Sequence, residues 1–146
     1  ECAVRDEMGT ILDAIEAADA LVIGSPMNFW TVTAVMKRFI ERLVCYAYWP
    51  WGMPAPKART TRKNKPAVIV ASSAAPAIMA RTLTKMVKLL KDVAKLLGAK
   101  PAGVLFIGLA AGEQHPVLKD RAKKKARALG FRLVANGMNR RNPGRT

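Results

Sequence analysis

Cysteine is scarce in this chain, with two in 146 residues. That is too few for a disulfide framework and points to a reducing, cytoplasmic setting. Acid is short as well: 10 Asp+Glu stand against 25 Lys+Arg, a formal charge of +15. Such a surplus speaks to partners and solubility rather than to fold. No apolar run nears the ~20 residues that a membrane-crossing helix needs. The mixed opening ECAVRDEM lacks the pattern of a secretory signal. Histidine occurs once, and His115 lies between Gln114 and Pro116 at a helix start, where it reads as a solvated neighbour of the cap. Cys2 alone supports no metal site, and Cys45 falls at helical spacing with core residues.

What is present is globular. Hydrophobic residues make up 51%, and the length suits one domain with a sizeable core. Met8, Ile11, Leu12, Ile15 and Ala18 define one helical face over about 6–18. Ala20 to Gly24 is a short apolar run without alternation, as in a strand buried on both faces. Gly24-Ser25-Pro26 then reads as a turn. Val32, Val35, Met36, Phe39, Ile40 and Leu43 mark a second helix over about 31–45. Residues 46–65 show no periodicity and form a long loop, YWPWGMPAP followed by KARTTRKNK. Ala67 to Ala71 (AVIVA) is a second buried strand. A helix over about 78–97 follows, with Leu83, Met86, Val87, Leu90, Ala94 and Leu97 inward and Gly98 as its cap. Val104 to Gly108 is a third strand, and a last helix runs from about His115 to Ala135, ended by Asn136-Gly137.

Helices alternating with short strands predict a parallel sheet with helices on its faces and right-handed crossovers. Three strands make a thin sheet of this kind. Val22 and Ile23 look like central-strand residues, so a further strand is expected beside them, either from another chain or, the favoured reading because the first helix otherwise has no strand before it, from segments upstream of Glu1. Each strand ends in a turn of small residues: Gly24-Ser25-Pro26, then Ser72 to Pro76, then Gly108 to Gly112. In open α/β sheets these ends share one edge, where ligands bind. Small residues let a flat ligand approach the backbone, although tight strand-to-helix turns use the same residues anyway.

The stretch CAVRDEM, followed by ADALVIGSPMNFWTVTAVMKRFIER, resembles the NAD(P)H-dependent FMN reductase family of flavodoxin-like proteins, with iron–sulfur flavoproteins and quinone reductases as relatives. Lys37, Phe39 and Arg42 stand at family positions, and the detailed match covers about Cys2 to Leu43. The resemblance implies a three-layer, doubly wound α/β fold with strand order 2-1-3-4-5. Residues 1–135 would form the domain and 136–146 a basic flexible tail. It implies that Ser25, Pro26, Met27, Asn28, Phe29 and Trp30 embrace the isoalloxazine ring of FMN, and that Ser72, Ser73, Ala74 and Ala75 form a second flavin loop. Family members take electrons from NADH or NADPH and pass them to a flavin, quinone or similar small acceptor. The flavin carries the redox chemistry, so no catalytic acid–base residue and no metal ligand is assigned. The family's Ser/Gly/Asn-rich phosphate loop, with the first two strands, is not in this sequence, so the chain is expected to hold FMN weakly or not at all.

A homodimer or homotetramer is the expected assembly, with Trp30 at the site and Trp49 and Trp51 at a dimer interface or flap. Lys85, Lys88, Lys91 and Lys95 form a helical stripe opposite the apolar one, as a solvated face does. Lys119 to Arg127 crowd the last helix, with Asp120 placed to pair with Lys124. Arg59, Arg62, Lys63 and Lys65 follow the aromatic loop and are candidates to attract nucleotide phosphates. The alternative function is a basic, non-enzymatic module on the same frame that binds an anionic polymer or a partner protein. As a reason for the charge, nucleic-acid binding ranks below solvated helix faces and attraction of a nucleotide cofactor, since no nucleic-acid motif accompanies it.

Overall fold

The computed structural model describes residues 6–58, 65–112 and 117–141. Its elements are α1 (Met8–Ala17), β1 (Leu21–Asn28), β2 (Thr31–Val32), α2 (Ala34–Arg42) and a 3-10 turn (Leu43–Tyr46). There follow β3 (Ala47–Tyr48), β4 (Lys57–Ala58), β5 (Lys65–Ser72), α3 (Ala77–Leu83), α4 (Met86–Leu96), β6 (Ala99–Ile107) and α5 (Asp120–Arg141). The main sheet has the order β2-β1-β5-β6. β1, β5 and β6 are parallel, and β2 folds back antiparallel on the end of β1. This is the expected α/β layer plan.

Period-2 alternation sends the strands' side chains to two cores. Leu21, Ile23, Ala67, Ile69 and Ala71 join Met8, Leu43, Met86, Leu90 and Val93 in the larger one, beneath α1, α2 and α4. On the other face Val68 and Leu105 pack against Leu129 of α5. β6 carries Pro101 inside a strand, which an edge position tolerates. There the register skips from Ala67↔Pro101 to Val68↔Gly103. A side chain at Gly103 would meet Leu129 Cδ2 at 2.2 Å, so glycine lets α5 settle onto the sheet.

Several boundaries depart from the sequence expectation. Gly24-Ser25-Pro26 continues β1, paired through Pro26↔Ser72; the turn comes later, at Phe29-Trp30. The helix expected over 78–97 is two helices. Thr84 takes an extended backbone between them, and its hydroxyl donates to Ala80 O at 2.7 Å and accepts from Met86 N at 3.4 Å, competing with the helical ladder. That break leaves Leu83 67% exposed, outside the predicted inward stripe. α5 starts later than predicted and runs through Asn136-Gly137 to Arg141; Gly137 is buried near Asp19, and that packing outweighs the local stop signal. His115 and Cys2 lie outside the described residues.

The loop over 46–65 also contains structure. β3 and β4 pair as a two-stranded ribbon through Ala47↔Ala58 and Tyr48↔Lys57. Its root is fixed by buried Tyr46, whose hydroxyl donates to Glu16 Oε1 at 2.9 Å. Lys65, expected as a loop cation, is buried. Its Nζ donates to Ile15 O and Glu16 O, both at 2.6 Å, placing a cation on the negative end of α1. Cys45, expected in the core, is exposed, because the chain has already tightened into the 3-10 turn there. Its Sγ donates to Arg42 O at 3.8 Å.

Candidate functional site

The three parallel strands deliver their carboxyl ends to one edge. Pro26 pairs with Ser72, and Ser72 with Ile107. Neighbouring strands lie ~4.8 Å apart, so the loops after β1, β5 and β6 begin within ~10 Å of one another. All ten sequence-predicted site residues fall on this edge.

The wall after β1 is a two-residue hairpin. Asn28 pairs with Thr31, leaving Phe29 and Trp30 as the loop, with φ of 44° and 66°. Positive φ at both central residues is the type I′ pattern that matches strand twist and ordinarily uses Asn-Gly. Here it is imposed on two aromatics, each at a cost. Phe29 is 89% exposed and Trp30 67%. Beneath them Ser25 is buried; its hydroxyl donates to Pro26 O at 2.9 Å and accepts from Thr33 N at 3.1 Å. Thr33 caps α2 in turn, accepting from Met36 N at 3.4 Å. Ser25 thus clamps both roots of the hairpin.

The second wall is stapled to the third loop. Ser73 is buried, with its hydroxyl donating to Ala75 O at 2.7 Å. Its N–H donates to Ile107 O, Ala110 N–H donates to Ser73 O, and Leu109 N–H donates to Ala75 O. Gly108 makes this contact possible: a Cβ there would stand 2.2 Å from Ala77 N. The third loop was visible as a small-residue turn, but not the part that exposed Leu109 plays at the rim, with φ of 57°. Only its two flanking glycines signalled it.

The edge is therefore rigid, with Pro26, Asn28, Phe29, Trp30 and Ala74 facing outward and the Ser25 and Ser73 hydroxyls spent internally. None of the ten residues carries an ionisable side chain, so any electron transfer here depends on a bound group. A flat ring fits what is exposed: aromatic faces and backbone on one side, a small-residue loop on the other. A shallow depression of ≈ 360 Å³ lined by Ala77, Ile78, Arg81 and Thr82 lies on α3 beside this edge. Among the described residues no group of three His, Cys, Asp or Glu side chains could hold a metal ion, and no helix is long and apolar enough to cross a membrane.

The ribbon that carries Trp49 and Trp51 is rooted away from this edge. α2 starts beside the hairpin and descends against the strands. The ribbon that follows is rooted by Tyr46 and Glu16 at the sheet's amino edge, a β1 length of ~26 Å away. Lys65 is at that far edge too, so it does not serve phosphates at the site.

The parallel sheet with helices on both faces and small-residue loops at its carboxyl edge defines a flavodoxin-like class of α/β protein. Residues 3–129 match the profile of the flavodoxin-like fold family, and the chain belongs to it. It is 30% identical over 138 residues to an iron–sulfur flavoprotein of Archaeoglobus fulgidus, a match covering 92% of this chain and 53% of that protein. The chain thus spans about half the length of this curated relative. Among solved structures, a thermophilic tryptophan halogenase from Streptomycin violaceusniger superposes with TM-score 0.56 at 13% identity, over 85% of this chain and 71% of that one. The general stress protein 14 of Treponema denticola in complex with FMN gives 0.52 at 17%, over 90% and 74%. An NADPH-quinone reductase from P. pentosaceus gives 0.52 at 14%, over 94% and 75%.

Proposed function

We propose that this chain is the ring-holding part of an FMN-dependent oxidoreductase that moves electrons from NADH or NADPH to a flavin, quinone or similar small acceptor, working as a homo-oligomer. The observation that carries the proposal is the strained, outward Phe29-Trp30 hairpin facing the small-residue Ser72–Ala75 loop on the carboxyl edge of a parallel sheet. The iron–sulfur flavoprotein relative and the FMN-bound and NADPH-quinone reductase neighbours favour flavin over other flat ligands. When bound, FMN supplies the redox chemistry. The residues of this chain hold and orient it: Asn28 and the backbone of 26–30 at one rim, Phe29 and Trp30 against its face, and Ser73 and Ser25 as internal struts.

FMN titration of a Trp49→Phe/Trp51→Phe chain, followed by Trp30 fluorescence, tests the proposal. Saturable quenching is expected, weak because the sequence holds no Ser/Gly/Asn-rich phosphate loop, and it should decline with Trp30→Ala as read by flavin fluorescence. FMN that leaves Trp30 unquenched at millimolar concentration would refute it.

A further inference from the structure

α5 crosses the sheet antiparallel to its strands. Leu129 lies against Gly103 in the middle of β6, and Gly137 reaches Asp19, just ahead of β1. The helix therefore begins near the carboxyl edge and ends near the amino edge. One stripe of it, Ala126, Leu129 and Leu133, packs on the sheet. A second stripe stands opposite: Lys124, Arg127, Phe131 and Val134, again at three- and four-residue steps and all exposed. Phe131 is 77% exposed and Val134 61%.

The cations of this helix are in the wrong place for its own stability. Six of them crowd residues 119–127, the end where the helix dipole is positive and favours acids. Arg121 and Lys125, and likewise Lys123 and Arg127, set like charges four residues apart, which weakens a helix. Asp120 is the one acid of α5, and it pairs with Lys123 at 3.4 Å, not with Lys124 as its spacing suggested. A face meant only for water gains nothing from this crowding, and breaks in local rules of this kind mark functional surfaces. What would balance the charge is an anionic partner.

The chemistry of that partner follows from the rest of the stripe. A nucleic-acid backbone would engage the cations and leave Phe131 and Val134 in water. An anionic lipid surface engages both sets: long basic side chains reach the phosphates while apolar ones enter the headgroup layer. We propose that the outward face of α5 docks on an anionic membrane surface, with Phe131 and Val134 inserted and the cations of its first turns on lipid phosphates. The cationic end is the one toward the carboxyl edge, so docking holds that edge beside acceptors dissolved in the lipid. This last consequence rests on the function proposed above; the docking does not.

Co-sedimentation of the purified chain, without flavin, with phosphatidylcholine vesicles that contain or lack phosphatidylglycerol tests the proposal. Binding is expected only with phosphatidylglycerol, and it should weaken as salt screens the charge. Lys124→Glu/Arg127→Glu should reduce partitioning by roughly tenfold or more. Lys85→Glu/Lys88→Glu makes the same change in net charge on the α4 side of the sheet and should cost far less. Phe131→Ser should reduce vesicle binding by roughly fivefold or more and leave retention on duplex DNA unchanged. All five side chains are exposed, so melting temperatures should stay at the wild-type value. No binding to phosphatidylglycerol vesicles, equal losses from the α4 and α5 reversals, or a Phe131→Ser chain that binds like wild type would overturn the proposal. Tighter binding to duplex DNA than to the vesicles would also overturn it and assign the face to nucleic acid. Vesicle binding without FMN binding would count against the flavin function and leave the docking surface standing.

Discussion

The Phe29-Trp30 loop allows stability and function to be separated by substitution. A non-glycine residue held in the left-handed region costs ~1–2 kcal/mol, whereas Asn visits it readily. Phe29 is 89% exposed, so the folded state buries only ~20 Å² of it, worth ~0.5 kcal/mol. Phe29→Asn should therefore stabilise the fold by ~0.5–1 kcal/mol, or ~2–3 °C in a chain of this size. Trp30 is a third buried, which is worth ~1.5–2 kcal/mol. That offsets the ~1–2 kcal/mol of strain, so Trp30→Gly should come out near neutral. Urea unfolding of the two variants beside the wild type measures the asymmetry. Both should weaken FMN. A destabilised Phe29→Asn chain would show that the positive φ carries no cost here, and the argument from strain would fail.

Other consequences are as direct. Lys65→Met keeps the buried stem but removes two charge-assisted hydrogen bonds to the end of α1; net of relieved desolvation, it should cost ~2 kcal/mol, seen as a lower urea midpoint. Gly108→Ala drives a methyl to 2.2 Å from Ala77 N and should cost ~2–3 kcal/mol, whereas Gly130→Ala, with nothing within 4 Å, should be neutral or better. Ser25→Ala deprives Thr33 N–H of its acceptor, costs ~1–2 kcal/mol, and should raise the anisotropy decay rate of Trp30 in a chain lacking the other tryptophans. The Asp6 carboxyl is held below its ordinary value of 3.8, first by hydrogen bonding from the Arg42 guanidinium and then by Met8 N–H. A depressed folded value contributes stability above the ordinary one and loses it as pH falls through the depressed one. The melting-temperature gap between wild type and Asp6→Asn should thus be present at pH 7 and close as the solution is taken below about pH 4.

Much of the fold was legible in the residues. AVIVA read as a buried strand and sits at the centre of the sheet, because continuous apolar runs need two covered faces. The helical stripe from Met86 to Leu97 was legible for the same reason. The failures cluster where tertiary context overrides local chemistry. Gly-Ser-Pro reads as a turn in isolation, yet at Pro26 β1 has a ladder partner on one side only, which tolerates proline, and β5 pairs with it up to Ser72. No propensity would place a type I′ turn on Phe-Trp. Thr84 broke a helix through one hydroxyl, and the Tyr46–Glu16 and Lys65–α1 contacts span thirty to fifty residues, out of reach of any periodicity. The ten candidate residues came from the family resemblance, and the structure gathers them on one edge because three strand ends share it; that Ser25 and Ser73 serve as struts within it took coordinates.

The expectation that something lies beside Val22 has a physical counterpart. Among the described residues β2 pairs only with Met27 and Asn28, Val22 is 65% exposed, and β6 closes the other side of the sheet with no neighbour. Each flank offers backbone groups that a strand of another molecule could match. What holds such molecules apart is their shared charge of +15, and that repulsion fades as the Debye length shrinks from ~10 Å at 0.1 M salt to ~3 Å at 1 M. For the chain as it stands, light scattering at rising salt would therefore report whether strand pairing at these flanks takes over once the charge is screened.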